Sequence, residues 1–357
     1  MSTPAPRPAI AALPAYVPGA RGGDGPAPIK LSSNESPYGP LPSVLEAIAA
    51  GAAAPQRYPD MGASALHARL AEACGTTPDG VVAGAGSVAV LAHILQAYAG
   101  AGDEVVFAWR SFEAYPILVA IAGAEAVRVP LDADARHDLD AMVAAITDST
   151  KVVLVCSPNN PTGPAVHADE FAEFMARVPS YVAVVLDEAY GEYSRDPHAV
   201  RGADLLASYP NLLVLRTFSK AYGLAGMRVG YALGSPELLA PIRAVVTPFS
   251  ITEPAQAAAI ASLDAVDELL ERVDLTAAER SRVLAGVREL GWDAPETDGN
   301  FVWLPAGDGT ADVVAALGAL PTPILVRPFA GEGVRITIGT PDENDALLAA
   351  LPGPAAS

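Results

Sequence analysis

Short, almost uninterrupted apolar runs, separated by segments with helical periodicity, constrain the fold of this chain most strongly. The runs lie at residues 81–83, 103–108, 126–129, 151–156, 181–186 and 212–215. A strand that is apolar on both faces needs helices on both sides of its sheet, and helical crossovers make successive strands parallel. The sequence therefore predicts an α/β fold built on a mostly parallel sheet that is covered by helices on both faces.

A change of composition near Ser235 and Thr247 indicates that the regular alternation of strands and helices ends there. Beyond it we predict one long helical stretch from Glu253 to Leu290, followed by strands at 301–304, 324–326 and 334–338. A length of 357 residues suits one large and one smaller domain. We expect an N-terminal arm over residues 1–40 that packs on the small domain or a partner subunit, a large domain over 41–245, and a small α+β domain over 246–357.

The charge balance limits the possible partners. With 22 basic and 41 acidic residues the formal net charge is −19, whereas nucleic acid and anionic membranes attract basic surfaces. Neither is expected as a partner. The most apolar longer window, residues 81–101, contains Gly84, Gly86 and His93, so we predict a buried strand, loop and helix there and no membrane span.

The two cysteines and the N-terminal residues indicate the compartment. Cys74 and Cys156 are far apart and have no CxxC spacing, so no disulfide framework and no metal site is predicted. Prolines interrupt the first twenty residues, which therefore do not resemble a signal peptide. A reducing, cytoplasmic location is the expectation.

Functional groups follow the carboxyl ends of the predicted strands, where open parallel sheets bind their ligands. The groups are the Gly84–Ser87 turn that opens a helix, the aromatic Phe112, the amide of Asn160, the carboxylate of Asp187 with Tyr190, and Thr217, Ser219 and Lys220 with Arg228 nearby. They supply an anion cradle, an aromatic plate, an amide, a carboxylate and a lysine. This set is what a pyridoxal phosphate site requires.

Each of these residues also has an ordinary structural explanation when taken alone. Lys220 can be a solvated loop lysine, Asp187 can cap a helix, and Asn160 can shape an Asn-Pro turn. The turn also fits a GxGxxA dinucleotide pattern, with Asp103 downstream. A nicotinamide-dependent dehydrogenase leaves Lys220, Asp187 and Asn160 unexplained, so it ranks below the pyridoxal phosphate hypothesis.

The motifs that surround these groups resemble those of the histidinol-phosphate aminotransferase family. The matching segments are 32–40, 57–60, 157–163, 187–190, 217–228 and 335–340, in the family's order. The resemblance implies a fold-type I pyridoxal phosphate transferase that forms homodimers with active sites at the subunit interface. It also implies an aminotransferase, although a decarboxylase or lyase, or a protein that keeps the cofactor only as a ligand, can share the fold.

The resemblance also implies a role for each matching residue. Lys220 would hold the cofactor through a Schiff base and later move the substrate Cα proton. The cofactor contacts would come from Gly86, Ser87, Thr217, Ser219 and Arg228 at the phosphate, Asp187 at the ring nitrogen, Asn160 and Tyr190 at the ring oxygen, Phe112 on the ring face, and Tyr58 from the partner subunit. The substrate contacts would come from Arg335 at the carboxylate, with Asn34 and Tyr16 nearby.

The family often has two acidic residues where this chain has Val88 and Ala89, so two polar groups near the phosphate loop are missing. A second feature bears on the substrate. The segment 107–116 resembles the aromatic, phenylalanine-type subgroup, so we expect transfer of the amino group of an aromatic L-amino acid to 2-oxoglutarate. Histidinol phosphate, of histidine biosynthesis, is the alternative. It carries a dianion that needs further cations, for which Arg110 and Arg21 are candidates.

Overall fold

A computed structural model describes residues 3–13 and 27–354. Its helices are α1 (Pro8–Ala11), α2 (Pro42–Gly51), α3 (Ser64–Ala73), α4 (Ser87–Tyr98), α5 (Ala114–Ala122), α6 (Leu139–Ala144), α7 (Ala168–Arg177), α8 (Pro236–Val245), α9 (Glu253–Asp264), α10 (Val266–Glu289), α11 (Thr310–Gly318) and α12 (Pro341–Ala350). Its strands are β1 (Ile29–Lys30), β2 (Val81–Gly84), β3 (Glu104–Trp109), β4 (Glu125–Pro130), β5 (Thr150–Cys156), β6 (Ala183–Asp187), β7 (Leu212–Thr217), β8 (Gly230–Leu233), β9 (Phe301–Leu304), β10 (Ile324–Leu325), β11 (Arg327–Phe329) and β12 (Gly333–Thr337).

The main sheet confirms the predicted fold class. Its strand order is β2-β8-β7-β6-β5-β3-β4. The neighbours from β7 to β4 pair in parallel, while β8 runs antiparallel to both β2 and β7. We did not predict β8. It is only four residues long and lies directly after the turn-rich Lys220–Arg228 segment, so no hydrophobic pattern separates it from a loop.

The two faces of the main sheet carry separate cores, because successive side chains of a strand point to opposite faces. In β3, for example, Val105 and Phe107 join the core that contains α4, α5 and α8. The alternate residues Val106 and Ala108 join the core that contains α3, α7 and α9. Helices on both faces therefore hold the sheet rigid and leave the carboxyl ends of its strands open to a ligand.

A second, smaller sheet lies in the C-terminal part. It has the antiparallel order β11-β12-β9 and packs on α10, α11 and α12 through a core of its own. The segment before α2 returns to this region, because β1 pairs in parallel with β10 and the Leu31 N–H donates to the Leu325 carbonyl at 2.8 Å. The boundaries at residues 40 and 245 stay a prediction.

The predicted helical stretch over 253–290 is confirmed, but it consists of two helices, α9 and α10. Ala265 leaves helical geometry, with φ −107° and ψ 29°, and separates α9 from α10. The Arg69 guanidinium satisfies the end of α9, donating to the Leu263 carbonyl at 2.9 Å and to the Asp264 carboxylate at 2.7 Å. Because α9 packs with α3 and α10 packs with α12, the break lets one stretch of chain serve both cores. No helix within residues 3–13 and 27–354 is long and apolar enough to cross a membrane.

Candidate active site

A cavity of about 240 Å³ lies at the carboxyl ends of the central strands. Ten of the predicted site residues line it together: Ser87, Phe112, Asn160, Asp187, Tyr190, Thr217, Ser219, Lys220, Arg228 and Arg335. They come from chain segments as far apart as α4 and β12. The fold therefore brings together the groups that we identified from strand ends.

One end of the cavity is rich in donors for an anion. α4 begins at Ser87, so the free N–H groups of its first turn and its dipole point at this end. The hydroxyls of Thr217 and Ser219 lie there as well, and Arg228 Nη1 donates to Ser219 Oγ at 3.3 Å. Hydroxyls, backbone N–H groups and a guanidinium form a phosphate-binding set.

Two glycines keep this end of the cavity open. Gly86 precedes α4 with φ +87°, a region that strains other residues, and a Cβ there would lie 2.5 Å from Arg228 Nη2. A Cβ on Gly230, at the start of β8, would lie 2.1 Å from the Ser87 nitrogen. Strand β8 thus passes directly under the turn, and its glycine allows Arg228 and the start of α4 to face the same anion.

Asp187 lies at the end of β6 and is 5% exposed. Its carboxylate accepts hydrogen bonds from the Tyr115 hydroxyl at 2.8 Å and from the Ala189 N–H at 3.1 Å. Burial raises the pKa of Asp187 to about 6, and the Tyr115 hydrogen bond opposes that rise. A buried carboxylate of this kind is stabilised by a cationic ligand group such as a pyridinium.

Existing hydrogen bonds orient two polar side chains of the cavity wall. Asn160 Oδ1 accepts from Arg335 Nη1 at 2.6 Å, so the amide of Asn160 keeps its N–H groups for another acceptor. The Tyr190 hydroxyl accepts from Asn34 Nδ2 at 2.9 Å, and burial raises its pKa, which keeps its proton available for donation. Both groups can donate to one ligand oxygen.

Lys220 lies in the same cavity, and its Nζ donates to the Ser33 carbonyl at 3.0 Å. Burial, and next the positive charge of Arg335, lower the pKa of Lys220 to about 7, with a smaller contribution from Arg228. Near neutral pH a large fraction of the amine is therefore unprotonated and nucleophilic.

Three further predicted residues, Gly86, Asn34 and Tyr58, lie outside the cavity lining. Gly86 stands behind Arg228, and Asn34 is fully buried behind Tyr190. Tyr58 is 81% exposed and stacks on Phe249 at 4.6 Å, away from the cavity of its own chain. Tyr16 lies outside the described residues.

Sequence reasoning missed several residues that shape the cavity. Tyr115 holds Asp187, and the pair Glu113–Arg327 lines the wall next to Phe112. The backbone of Ser32 also takes part, because its carbonyl accepts from Arg335 Nη2 at 2.9 Å. The only available signal was a charged residue, Arg327, inside the apolar run that follows Ile324.

Of the two cations that we considered for a substrate dianion, Arg110 is not in the cavity lining. The Arg110 guanidinium lies 4.3 Å over the Trp109 ring and donates to the Glu332 carboxylate at 2.7 Å. Arg21 lies outside the described residues. Asp103, the carboxylate required by a dinucleotide site, instead accepts from the Gly100 N–H at 2.9 Å and lies away from the cavity.

The donor set fits pyridoxal phosphate at both ends. The anion end has the free N–H groups of α4, the hydroxyls and Arg228, with the space that Gly86 leaves open. The opposite groups are a buried carboxylate for the ring nitrogen and a lysine with a lowered pKa. Among the described residues no group of three or more His, Cys, Asp or Glu side chains could hold a metal ion.

Comparison with known proteins confirms the resemblance. The family model described as aminotransferase class I and II matches residues 26–351. An aromatic amino acid aminotransferase from Thermobifida fusca is 54% identical over 344 residues, covering 96% of this chain and 95% of the relative. A second protein of that name, from Streptomyces avermitilis, is 50% identical over 348 residues, covering 97% and 96%.

A solved structure shows the same fold with the cofactor. The histidinol-phosphate aminotransferase from Sinorhizobium meliloti, in complex with pyridoxal-5'-phosphate, superimposes with a TM-score of 0.88 at 31% identity, covering 97% of this chain and 96% of the other. This chain therefore has the fold of a fold-type I pyridoxal phosphate enzyme. It belongs to the aminotransferase class I and II family and is a pyridoxal phosphate-dependent aminotransferase.

Proposed function

We propose that this enzyme transfers the amino group of an aromatic L-amino acid to 2-oxoglutarate. The observation that carries the proposal is a cavity in which Lys220, with its lowered pKa, shares the space with Asp187 and Arg335. The identity of about half to the two relatives named as aromatic amino acid aminotransferases supports the choice of substrate.

Lys220 is the proposed catalytic residue. Its unprotonated amine would hold the cofactor covalently, and the same amine would take the proton from the substrate Cα. The bound cofactor supplies an electron sink for the negative charge that develops at that carbon. The carbonyl of Ser33, which accepts from Nζ at 3.0 Å, orients the amine within the cavity.

The other proposed cofactor contacts follow from the donor set. The start of α4 at Gly86 and Ser87 holds the phosphate together with Thr217, Ser219 and Arg228. Asp187 would keep the ring nitrogen protonated, because a buried carboxylate is stabilised by a cationic partner. Asn160 and Tyr190 would donate to the ring oxygen, and Phe112 would pack on the ring.

Arg335 is the proposed anchor for the substrate carboxylate. A guanidinium binds a carboxylate in a bidentate manner, which fixes the direction in which the Cα–H bond points. Arg335 is 7% exposed and already oriented by Asn160 and the Ser32 carbonyl. Asn34, which bonds to Tyr190, Thr337 and Asn300, joins the substrate side of the cavity to the cofactor side, and Tyr16 completes the proposed substrate contacts.

We also propose a homodimer in which Tyr58 reaches the cofactor phosphate of the partner subunit. Exposed apolar side chains support an interface here, since Tyr58, Met61 and Phe249 are 81%, 63% and 40% exposed. The chain is then an N-terminal arm over 1–40, a cofactor domain over 41–245 and a small domain over 246–357. Two free cysteines, Cys74 and Cys156, suit a cytoplasmic location.

The test is a comparison of kcat/KM for phenylalanine, tyrosine and histidinol phosphate, each with 2-oxoglutarate as acceptor. We expect an aromatic amino acid to exceed histidinol phosphate at least tenfold, about 1.4 kcal/mol in transition-state binding. Histidinol phosphate is the second candidate substrate, because a solved structure that superimposes on this chain is that of a histidinol-phosphate aminotransferase. A tenfold preference for histidinol phosphate would reverse the order.

A further inference from the structure

The segment that carries Phe112 is held by one side chain from another part of the sheet. Residues 110–113 connect β3 to α5. The Ser111 hydroxyl donates to Asn159 Oδ1 at 2.8 Å, and Asn159 Nδ2 donates to the Arg110 carbonyl at 3.1 Å. Both ends of the Asn159 amide therefore bind the two residues that directly precede Phe112.

Asn159 is itself firmly fixed after the end of β5. Like Ser111, it is 1% exposed. Its N–H donates to the Pro164 carbonyl at 2.9 Å, its carbonyl accepts from the Gly163 N–H at 2.8 Å, and its Nδ2 also donates to Thr162 Oγ1 at 2.8 Å. Because buried polar atoms are costly without partners, this amide keeps one orientation and forms a rigid support for residues 110–113.

The supported segment places an aromatic ring in the cavity. Phe112 lines the cavity, and its ring meets the Tyr115 ring edge-on with centroids 5.6 Å apart. Asn159 lies behind the lining, whereas the next residue, Asn160, is part of it. One turn of the chain thus contributes one cavity contact directly and supports another. A ring on a connecting segment is only as well positioned as the groups that hold that segment.

We propose that Asn159 is a positioning residue for the cofactor. By binding Ser111 and the Arg110 carbonyl, it fixes Phe112 against the ring of pyridoxal phosphate. The inference rests on the contact between Phe112 and the cofactor that the proposed function includes. Because Asn159 acts through Phe112, the effects of substituting the two residues must be coupled, and a double-mutant cycle measures that coupling.

Thr162 offers a matched control. Thr162→Val removes a hydrogen bond of 2.8 Å from the same Nδ2 atom of Asn159 but leaves the bonds to Ser111 and Arg110 in place. Thr162 is 3% exposed, so this variant and Asn159→Ala both disturb buried hydrogen bonds. A general loss of stability will appear in both variants, whereas a displaced Phe112 will appear only in Asn159→Ala.

The experiment follows the release of pyridoxal phosphate from loaded, full-length protein during dialysis with a phosphatase that removes the free cofactor. We expect Asn159→Ala to release the cofactor about tenfold faster than the wild type, as the loss of two buried hydrogen bonds allows, and Thr162→Val to stay within about twofold. In a Phe112→Ala background, Asn159→Ala should add less than about twofold. The visible circular dichroism of the bound cofactor, which reports how firmly its ring is oriented, should weaken in Asn159→Ala and not in Thr162→Val.

Several results would overturn the role of Asn159. They are release from Asn159→Ala at the wild-type rate, an equal acceleration in Thr162→Val, and an undiminished effect of Asn159→Ala in the Phe112→Ala background. If Asn159→Ala does not fold, Ser111→Ala takes its place in the same cycle, with an expected acceleration of about threefold for one hydrogen bond.

Failure of the proposed function looks different. Wild-type protein would then turn over neither phenylalanine nor tyrosine, whereas the release rates do not depend on the substrate. A Phe112→Ala protein that releases the cofactor at the wild-type rate would contradict the contact on which the inference rests.

Discussion

The cavity has two walls that differ in how the chain builds them. The first, here called the sheet wall, consists of groups that follow β2, β3, β5, β6 and β7, from Ser87 to Lys220. The second, here called the cover wall, consists of Ser32, Ser33 and Glu35 and of Arg327 and Arg335 of the small sheet. Hydrogen bonds from the adjacent Asn34 to Tyr190 and from Arg335 to Asn160 join the two walls.

This difference in construction suggests that the sheet wall carries out the chemistry and that the cover wall selects the substrate. The sheet wall stands on strands that are buried on both faces, so its groups are held rigidly where bonds break and form. The cover wall depends on hydrogen bonds between distant segments. Arg335, for example, donates to the carbonyl of Ser32, a residue 303 positions away in the sequence. Substitutions in the sheet wall should therefore lower kcat, and those in the cover wall should change KM and substrate preference.

The largest effect is expected for Lys220→Ala. Without an amine to take the Cα proton, kcat should fall by about 10⁴-fold, while the phosphate contacts still retain the cofactor. Multiple-turnover assays with phenylalanine measure the loss, and cofactor content after gel filtration checks retention. A variant that keeps more than a tenth of wild-type kcat would mean that the sheet wall does not carry the chemistry.

Asp187→Asn should have the next largest effect. The amide cannot hold the ring nitrogen protonated, so the electron sink weakens and kcat should fall by about 10²- to 10³-fold. Tyr115→Phe is the matched control, since it keeps the carboxylate but removes its hydrogen bond at 2.8 Å; its loss should stay below about tenfold. Equal losses in the two variants would argue for a packing effect.

Arg335→Gln probes the cover wall. Loss of a buried charge pair with the substrate carboxylate should raise KM and lower kcat/KM by roughly 30- to 100-fold, the low end of the range for such pairs. The fall in kcat should be smaller than that for Asp187→Asn. Steady-state kinetics with phenylalanine decide this, and a variant that loses only kcat would remove the distinction between the walls.

The same arginine should also affect the pH dependence of cofactor capture. The pKa of Lys220 in cofactor-free protein is lowered to about 7 by burial and by Arg335. Because capture needs the unprotonated amine, its rate should rise as the pH increases through about 7. Removing the positive charge stabilises the protonated amine, so Arg335→Gln should move the midpoint to higher pH. Stopped-flow absorbance measures both profiles, and an unchanged midpoint would contradict the coupling.

The two walls also differ in how far the sequence predicts them. Asn160, Asp187 and Lys220 were identified because each follows an apolar strand, and parallel strands bring such positions to one edge. The cover wall follows no such rule. Glu113 and Arg327 are 214 residues apart, and their contact arises from the way the small sheet meets the start of α5, which hydrophobic periodicity does not encode.

The predicted fold differs from the structure at two places where the local sequence pattern is misleading. The helical pattern from Glu253 onward continues across Ala265, and only the tertiary contact of Arg69 with the end of α9 shows why the helix stops there. Strand β8 was not predicted, because Gly230 has no side chain and the strand has only four residues. In both places long-range packing overrides the local pattern.

Chemical mapping of the attached cofactor tests the central claim most directly. The chain has three lysines, Lys30, Lys151 and Lys220. Borohydride reduction of the loaded protein, followed by trypsin and mass spectrometry, should place a pyridoxyl group on the peptide from Thr217 to Arg228 and leave Lys30 and Lys151 unmodified. A pyridoxyl group on another lysine, with Lys220 unmodified, would contradict the account.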